Sequence, residues 1–265
     1  MNEGTGMSVR QADAAKVLRD LHLPGTPLVL ANIWDAASAR LAEQAGFAAI
    51  ATSSGAVAES LGYADGQDAP VTEMFGAAAR IARVVSVPVT VDAEAGYGLG
   101  PDDFVRLLLR TGAVGCNVED TDHTTGGLAD PATRAAWLAG VRAAADAAGV
   151  PLVINARVDT FVRAPRTAGR PVDEAALLDD AVHRARAYLA AGADCVYPIV
   201  MRDPDVIRDL TSAVAPAAVN LLSTPGGLSP TDLAELGAAR VSMGTSVWQA
   251  SQSELAGRLA ELAPS

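Results

Sequence analysis

The sequence predicts an α/β fold of the (β/α)8 type, a TIM barrel, preceded by an extra N-terminal helix. Three observations carry this expectation. Short apolar, β-type runs alternate with longer helical patterns eight times along the chain. A length of 265 residues suits one such barrel. Polar residues crowd the C-terminal ends of the apolar runs, whose starts are apolar or small, and that end of a barrel is where side chains meet a ligand. A doubly wound open sheet fits less well, because no G-x-G-x-x-G opens a helix after the first strand.

The elements follow in order. Residues 1–26 hold the extra helix, centred on the amphipathic stretch QADAAKVLRDLH. The strand candidates are PLVLANIWD (27–35), FAAIATSS (47–54), PVTVDAE (88–94) and AVGCNVED (113–120). PLVINARVDT (151–160), DCVYPIV (194–200), AVNLLST (218–224) and ARVSMG (239–244) complete the set. Helical segments such as AASARLAEQAG, VTEMFGAAARIARVV, PDDFVRLLLRTG and PATRAAWLAGVRAAADAAG lie between them. Start signals (GPDDF, DPAT) and closing glycines (Gly46, Gly112, Gly192) mark several of their ends. The longest irregular insertions, SGAVAESLGYADGQDAP and TFVRAPRTAGRPV, follow the second and fifth strands. The last helix, within 245–265, carries Trp248, Leu255, Leu259 and Leu262 roughly along one side and packs either on its own barrel or on a neighbour's. No linker divides the chain, so residues 1–265 read as a single barrel domain.

Composition narrows the function. The formal charge is −11, from 31 acidic and 20 basic residues, and no basic tract is interleaved with aromatics. Nucleic acid and anionic membrane surfaces are therefore poor partners. No apolar run is long enough to span a bilayer, and the N-terminus lacks the basic-then-apolar layout of a secretion signal. Cys116 and Cys195 both fall inside strand runs, where a reduced core thiol is expected, and a cytoplasmic protein follows. Lys16, in the N-terminal helix, is the only lysine, which argues against pyridoxal phosphate and other Schiff-base chemistry. A nicotinamide cofactor is not expected either.

The strand ends carry the chemistry. Strand one ends in Asp35, strand two in Ser53, Ser54 and Gly55, and strand three in Asp92 and Glu94. Strand four closes with Asn117, Glu119 and Asp120, and strand five with Asn155, Arg157 and Asp159. Residues i and i+2 of a strand share a face, so Asp92 and Glu94 stand side by side. Two anions there either cap and solvate a rim or hold a cation. An all-oxygen donor set suits Mg2+, or Mn2+ in its place. Zinc is disfavoured, because His22, His123 and His183 show no ligand spacing. Arg157 either pairs with Asp159 or another barrel carboxylate, or clamps a substrate carboxylate.

Four of these segments, ATSSGAVAESLGYADG, TVDAEAGYG, NVEDT and NARVDTF, resemble in order the strand-end motifs of the isocitrate lyase/phosphoenolpyruvate mutase superfamily. The similarity runs from ANIWDAASARLAEQAG to GAARVSMG. It implies an Mg2+-dependent barrel that stabilises an enolate-like carboxylate, and a homo-oligomer, tetramer or dimer, with exchanged C-terminal helices. By motif, Asp92 would be the direct metal ligand, with Asp65, Glu94 and Glu119 holding metal-bound waters. The backbone amides of Ser54, Gly55 and Ala56, beside Ser53 and together with Arg157, would grip a small anionic carboxylate substrate.

The resemblance fails in one half of the site. Where lyases of this superfamily carry a Lys-Lys/Arg-Cys-Gly-His loop after strand four, this chain reads DTDHTTGGLADP, with neither Cys nor Lys. The Lys- and Asn-bearing loop of the phosphonomutases is missing as well. After strand six, YPIV places Ile199 where a Glu or His is usual. His123 is the one new group in the replaced loop suited to proton transfer near neutrality, unless it is only an exposed loop histidine. Tyr97 and Tyr63 could orient substrate or simply pack. STPGG after strand seven is either a plain turn or a phosphate cradle. The expectation is an Mg2+-dependent carbon–carbon lyase acting on a small α-oxo or α-hydroxy di-acid, with Arg157, His123 and Glu119 as its catalytic groups. The alternatives are C–P bond chemistry, as in a phosphonomutase or phosphonopyruvate hydrolase, and a non-catalytic carboxylate binder.

Overall fold

A computed structural model describes residues 3–164 and 172–264. The chain opens with helix α1 (Glu3–Asp20), then β1 (Leu28–Leu30), β2 (Asn32–Ile33), α2 (Ala36–Gln44), β3 (Ile50–Thr52), α3 (Ser54–Leu61) and α4 (Val71–Ala82). It continues with β4 (Val89–Asp92), α5 (Pro101–Arg110), β5 (Gly115–Glu119), the short strands β6 (Thr121–Asp122) and β7 (Gly127–Leu128), and α6 (Pro131–Ala147). Next come β8 (Val153–Val158), a 3-10 turn at Ala175–Leu177, α7 (Leu178–Ala190), β9 (Cys195–Pro198) and α8 (Pro204–Val214). The chain ends with β10 (Ala218–Leu222), α9 (Pro230–Glu235), β11 (Arg240–Ser242) and α10 (Ser246–Leu262).

The large sheet runs in the order β1-β11-β10-β9-β8-β5-β4-β3-β2, every pair parallel. β1 and β2 are successive pieces of one strand broken at Ala31, so the sheet closes into the predicted barrel. Parallel neighbours require helical crossovers, and α2 to α9 supply them. Their apolar faces pack on the outward side chains of the strands around Phe104, Leu108, Leu138, Val141, Ile154 and Val196, all fully buried.

Two expectations need correction. The insertion after strand two was expected to be irregular, but residues 54–61 form α3, because Ser53 serves as N-cap and accepts the Ala56 N–H at 3.4 Å while Gly62 closes the helix at φ 90°. Asp35, read as a strand-end polar group, is the N-cap of α2. It accepts the Ser38 N–H at 2.7 Å in a capping box. Of the insertion after strand five (160–172), residues 165–171 lie outside the described residues.

α1 closes the barrel at the strand starts. Ala15 and Leu18, both fully buried, pack on Leu28, Leu30, Ala49, Ala51 and Val153. Leu18 enters so far that a Cβ on Gly115 would lie 2.7 Å from its Cδ2, which is why β5 begins with glycine. Arg19 ties the helix down by donating to Asp194 at 2.8 Å and to the Pro151 carbonyl at 3.1 Å. Above this floor the interior turns polar. Asn155 and the fully buried Arg240 both donate to Asn117 Oδ1, at 2.8 and 3.0 Å, and Asn220 donates to Ser242 at 3.0 Å. Cys116 and Cys195 are buried and unpaired, with burial raising both thiols to about 12. They are inert core residues.

His22, just past α1, bonds the Leu18 carbonyl through Nδ1 at 2.7 Å, while its Nε2 is buried without a partner. Burial first, then the charge of Arg240, lowers its pKa to about 4. The unfolded chain therefore binds this proton more readily. The stability it contributes is complete above pH ~6.5 and is lost as pH falls through about 4, by up to ~3 kcal/mol. Thermal melts across this window should show the loss, and the His22→Leu variant should show a flatter acid limb.

Candidate active site

The strand C-termini surround a cavity of about 490 Å3. Its lining includes Ser53, Ser54, Gly55, Asp65, Asp92 and Arg157 from the predicted set, together with Asn32, Asn117, Tyr197, Thr224 and the 243–246 turn. Register explains the convergence: Asp92 pairs with Asn117 across β4 and β5, Glu119 with Arg157 across β5 and β8, and Arg157 with Tyr197 across β8 and β9. Alternation turns each of these inward. Ala56, Glu94, Tyr97, Glu119 and His123 are not among the lining residues.

Asp92 is held at its backbone, whose N–H donates to Thr52 Oγ1 at 2.8 Å. Its Oδ2 accepts the Ser54 N–H at 3.1 Å. Of the three amides expected to grip substrate, that of Ser54 is thus engaged by Asp92 and that of Ala56 by Ser53. The Asp92 Oδ1 accepts no hydrogen bond among the described residues. Burial raises the Asp92 carboxyl to about 6, with Arg157 lowering it and Glu119 and Asp65 raising it. Asp65 comes from the loop after α3 and packs so closely that a Cβ on Gly55 would lie 3.2 Å from its Oδ2.

Glu94 sits just past β4 in the left-handed region, at φ 47°, as do Gln67 at 66° and Tyr97 at 55°. Such backbones persist in non-glycine residues only where contacts hold them. Here the Gln67 N–H and the Tyr97 hydroxyl donate to the two Glu94 oxygens, the latter at 2.8 Å, and Tyr97 N–H donates to Gln67 Oε1 at 2.5 Å. Burial raises Glu94 to about 7, against the lowering effect of Tyr97. Tyr97 therefore orients Glu94 directly. Tyr63 instead donates to the exposed Glu73 at 2.8 Å.

Arg157 takes the pairing role, with two carboxylates at once. Nε and Nη2 donate to Asp159 at 2.6 and 2.8 Å, and Nη2 stands 2.5 Å from Glu119. Burial opposes its charge, but Asp159 and Glu119 more than offset this and its pKa is raised. Among the described residues, Nη1 has no hydrogen-bond or ion-pair partner. Asp159 is itself anchored by Thr121 Oγ1 at 2.5 Å. Asp120 turns away from the cavity, accepting from Tyr188 at 2.7 Å and Arg184 at 3.1 Å.

The replaced loop folds as the β6–β7 hairpin and carries His123 back to the site. His123 Nε2 lies 2.7 Å from Glu119 Oε1, and its ring rests against Gly66, beside Asp65. The Glu119 hydrogen bond, opposed by burial, raises its pKa above the ordinary histidine value. It is not a free loop histidine. Asn32 and Tyr197 were not singled out in the sequence. Their signal is the inward alternation of Leu28, Leu30 and Asn32, and of Cys195 and Tyr197.

A parallel barrel with acids and two arginines, Arg157 and Arg202, at its strand C-termini has the layout of a TIM-barrel enzyme site. The sequence profile of the family described as phosphoenolpyruvate phosphomutase matches residues 18–263, and the chain belongs to this family, within the isocitrate lyase/phosphoenolpyruvate mutase superfamily. An uncharacterised Mycobacterium tuberculosis protein is 36% identical over 226 residues, 85% of this chain and 81% of that one. The 2-methylisocitrate lyase of Escherichia coli is 32% identical over 84% of this chain and 78% of its own length. Among solved structures, a Burkholderia cenocepacia protein provisionally designated a phosphonomutase superposes with a TM-score of 0.88 at 39% identity, covering 96% of this chain and all of the other. Among the described residues, no helix is long and apolar enough to cross a membrane.

Proposed function

We propose that this protein is an Mg2+-dependent lyase that cleaves a carbon–carbon bond in a small α-oxo or α-hydroxy di-acid. The observation that carries this is the opposition of Asp92, with one carboxylate oxygen uncommitted, and Arg157, with Nη1 uncommitted, in the same cavity. Among the described residues no three His, Cys, Asp or Glu side chains stand close enough to chelate an ion together. That fits Mg2+, which keeps several waters and takes one or two carboxylates directly. Asp92 would hold the ion, and Asp65, Glu94 and Glu119 its waters; Mn2+ would serve in its place. When bound, the ion supplies Lewis-acid polarisation of the substrate's α-oxygen.

The protein's own groups do the rest. Arg157 Nη1 orients the substrate carboxylate, beside the Gly55 backbone. His123 shares a proton at Nε2 with Glu119 Oε1 and so sets how much negative charge Glu119 presents to the cavity. The Tyr197 hydroxyl, whose pKa burial raises, stays protonated at neutral pH and remains a donor facing the cavity. The family match and the 2-methylisocitrate lyase and oxaloacetate decarboxylase relatives support carboxylate chemistry.

Metal-stripped protein reloaded with Mg2+ should release pyruvate, glyoxylate or oxalate from one of 2-methylisocitrate, 2,3-dimethylmalate, citramalate or oxaloacetate. Protein that binds Mg2+ yet turns over none of them would count against the reading. A second reading, C–P bond chemistry, is favoured by the phosphonomutase designation of the Burkholderia neighbour, and phosphorus NMR with phosphonopyruvate separates the two. We further infer a single barrel domain and a homo-oligomer built through α10, whose Leu255, Leu259 and Leu262 are 50–79% exposed. Sedimentation at a monomer mass would rule out the oligomer.

A further inference from the structure

A second cavity of about 360 Å3 adjoins the first on its β9 side, and the two share Arg202, Leu222 and Thr224. The turn after β9 is built to place Arg202 there. Val200 is β-branched yet lies at φ 63°, a costly conformation that persists only where the surroundings impose it. It reverses the chain so that Met201 enters the core, 4% exposed, while Arg202 remains outside. The backbone is then locked by Glu174, whose carboxylate accepts the Arg202 N–H at 3.0–3.1 Å and the Asp203 N–H at 3.0 Å. The Arg202 guanidinium itself pairs with no carboxylate among the described residues.

Charge balance gives this arginine a task. Arg157 is shared between Asp159 and Glu119, so that trio carries a net negative charge and offers one guanidinium nitrogen. Asp65 and Asp92 add further negative charge at the opening. Among the described residues, a ligand with two anionic ends meets one cation lining the cavity that pairs with no carboxylate, Arg202. We propose that Arg202, with the Thr224–Gly227 turn, forms a distal subsite. It would hold the second carboxylate of a di-acid whose α-oxo carboxylate end lies between Asp92 and Arg157. The subsite deepens the lyase reading above and rests on it.

Calorimetry on the Mg2+-loaded full chain tests this with three probes: pyruvate, which has only the α-oxo carboxylate end, 3,3-difluorooxaloacetate, which adds a distal carboxylate, and phosphonopyruvate, which ends in a phosphonate. Arg202→Gln should weaken 3,3-difluorooxaloacetate about 10- to 100-fold and leave pyruvate within about twofold, with Arg202→Lys recovering part of the loss. Equal weakening of both, or no change in 3,3-difluorooxaloacetate, overturns the subsite while the main site stands. Weakening of phosphonopyruvate alone overturns its assignment to a carboxylate. Failure of the wild-type protein to bind pyruvate at all would bring down the lyase reading, and this subsite with it.

Discussion

Asp92→Asn should abolish Mg2+ binding while leaving the metal-free protein at least as stable as the wild type. The two effects have one cause. Asp92 is held at its backbone by Thr52 and at Oδ2 by Ser54, but burial raises its carboxyl to about 6, and Glu119 and Asp65 oppose its charge further. Because the folded-state pKa is raised, its ionisation destabilises the fold. Stability is greatest below pH ~4 and is lost as pH rises through about 6, by up to ~3 kcal/mol. An amide removes that charge and keeps the shape. Differential scanning calorimetry without metal should place the Asp92→Asn midpoint level with or several degrees above the wild type at pH 7–8, and below it at no pH in this window. Added Mg2+ should raise the wild-type midpoint and leave that of the variant unmoved. Loss of a directly binding carboxylate should cost more than the roughly 10–100-fold typical of groups that only support a metal ligand. A variant that still binds Mg2+ within tenfold of wild type would remove Asp92 as the metal ligand.

The same residue shows how far the sequence alone reaches. Asp92 and Glu94 were legible as a pair because alternation in a strand is a strict period of two and both follow an apolar run. What alternation could not reveal is that the strand ends at Asp92. Glu94 lies beyond it in a left-handed backbone, so it does not share the β4 face with Asp92 and is held by Gln67 and Tyr97 outside the cavity lining. The barrel was legible for a similar reason, since eight apolar runs separated by helix patterns leave little choice of topology. Asp35 misled because an Asp after a strand and before a helix satisfies two rules at once, and only the Ser38 amide decides between them. His123 could be flagged by its chemistry, but its partner could not. A hairpin of two-residue strands, β6 and β7, brings it back to Glu119, and elements so short leave no periodic signal. Arg202 left no trace in any pattern, because its placement depends on a backbone angle at Val200.

Arg157→Gln should be the most destabilising single change in the site. Arg157 stands between Glu119 and Asp159, whose side chains are 5% and 0% exposed. Removing the guanidinium leaves two buried carboxylates facing one another, with Thr121 and His123 as their remaining support. Breaking a buried pair from one side costs about 3–5 kcal/mol, because the uncompensated charge stays behind. For a chain of this size that corresponds to a fall in melting temperature on the order of 6–20 °C. Pyruvate binding in Mg2+ should vanish as well, and instability by itself could account for that loss. The double variant Arg157→Met with Asp159→Asn separates the two causes. It removes both members of the doubly hydrogen-bonded pair, which is far less costly than removing one, so part of the lost stability should return, with Glu119 keeping His123 as its partner. Pyruvate affinity should not return, since the guanidinium placed opposite Asp92 to meet the α-oxo carboxylate is gone. Recovery of wild-type affinity in the double variant would show that Arg157 only holds the barrel mouth together, and unchanged stability in Arg157→Gln would show that it does not do even that.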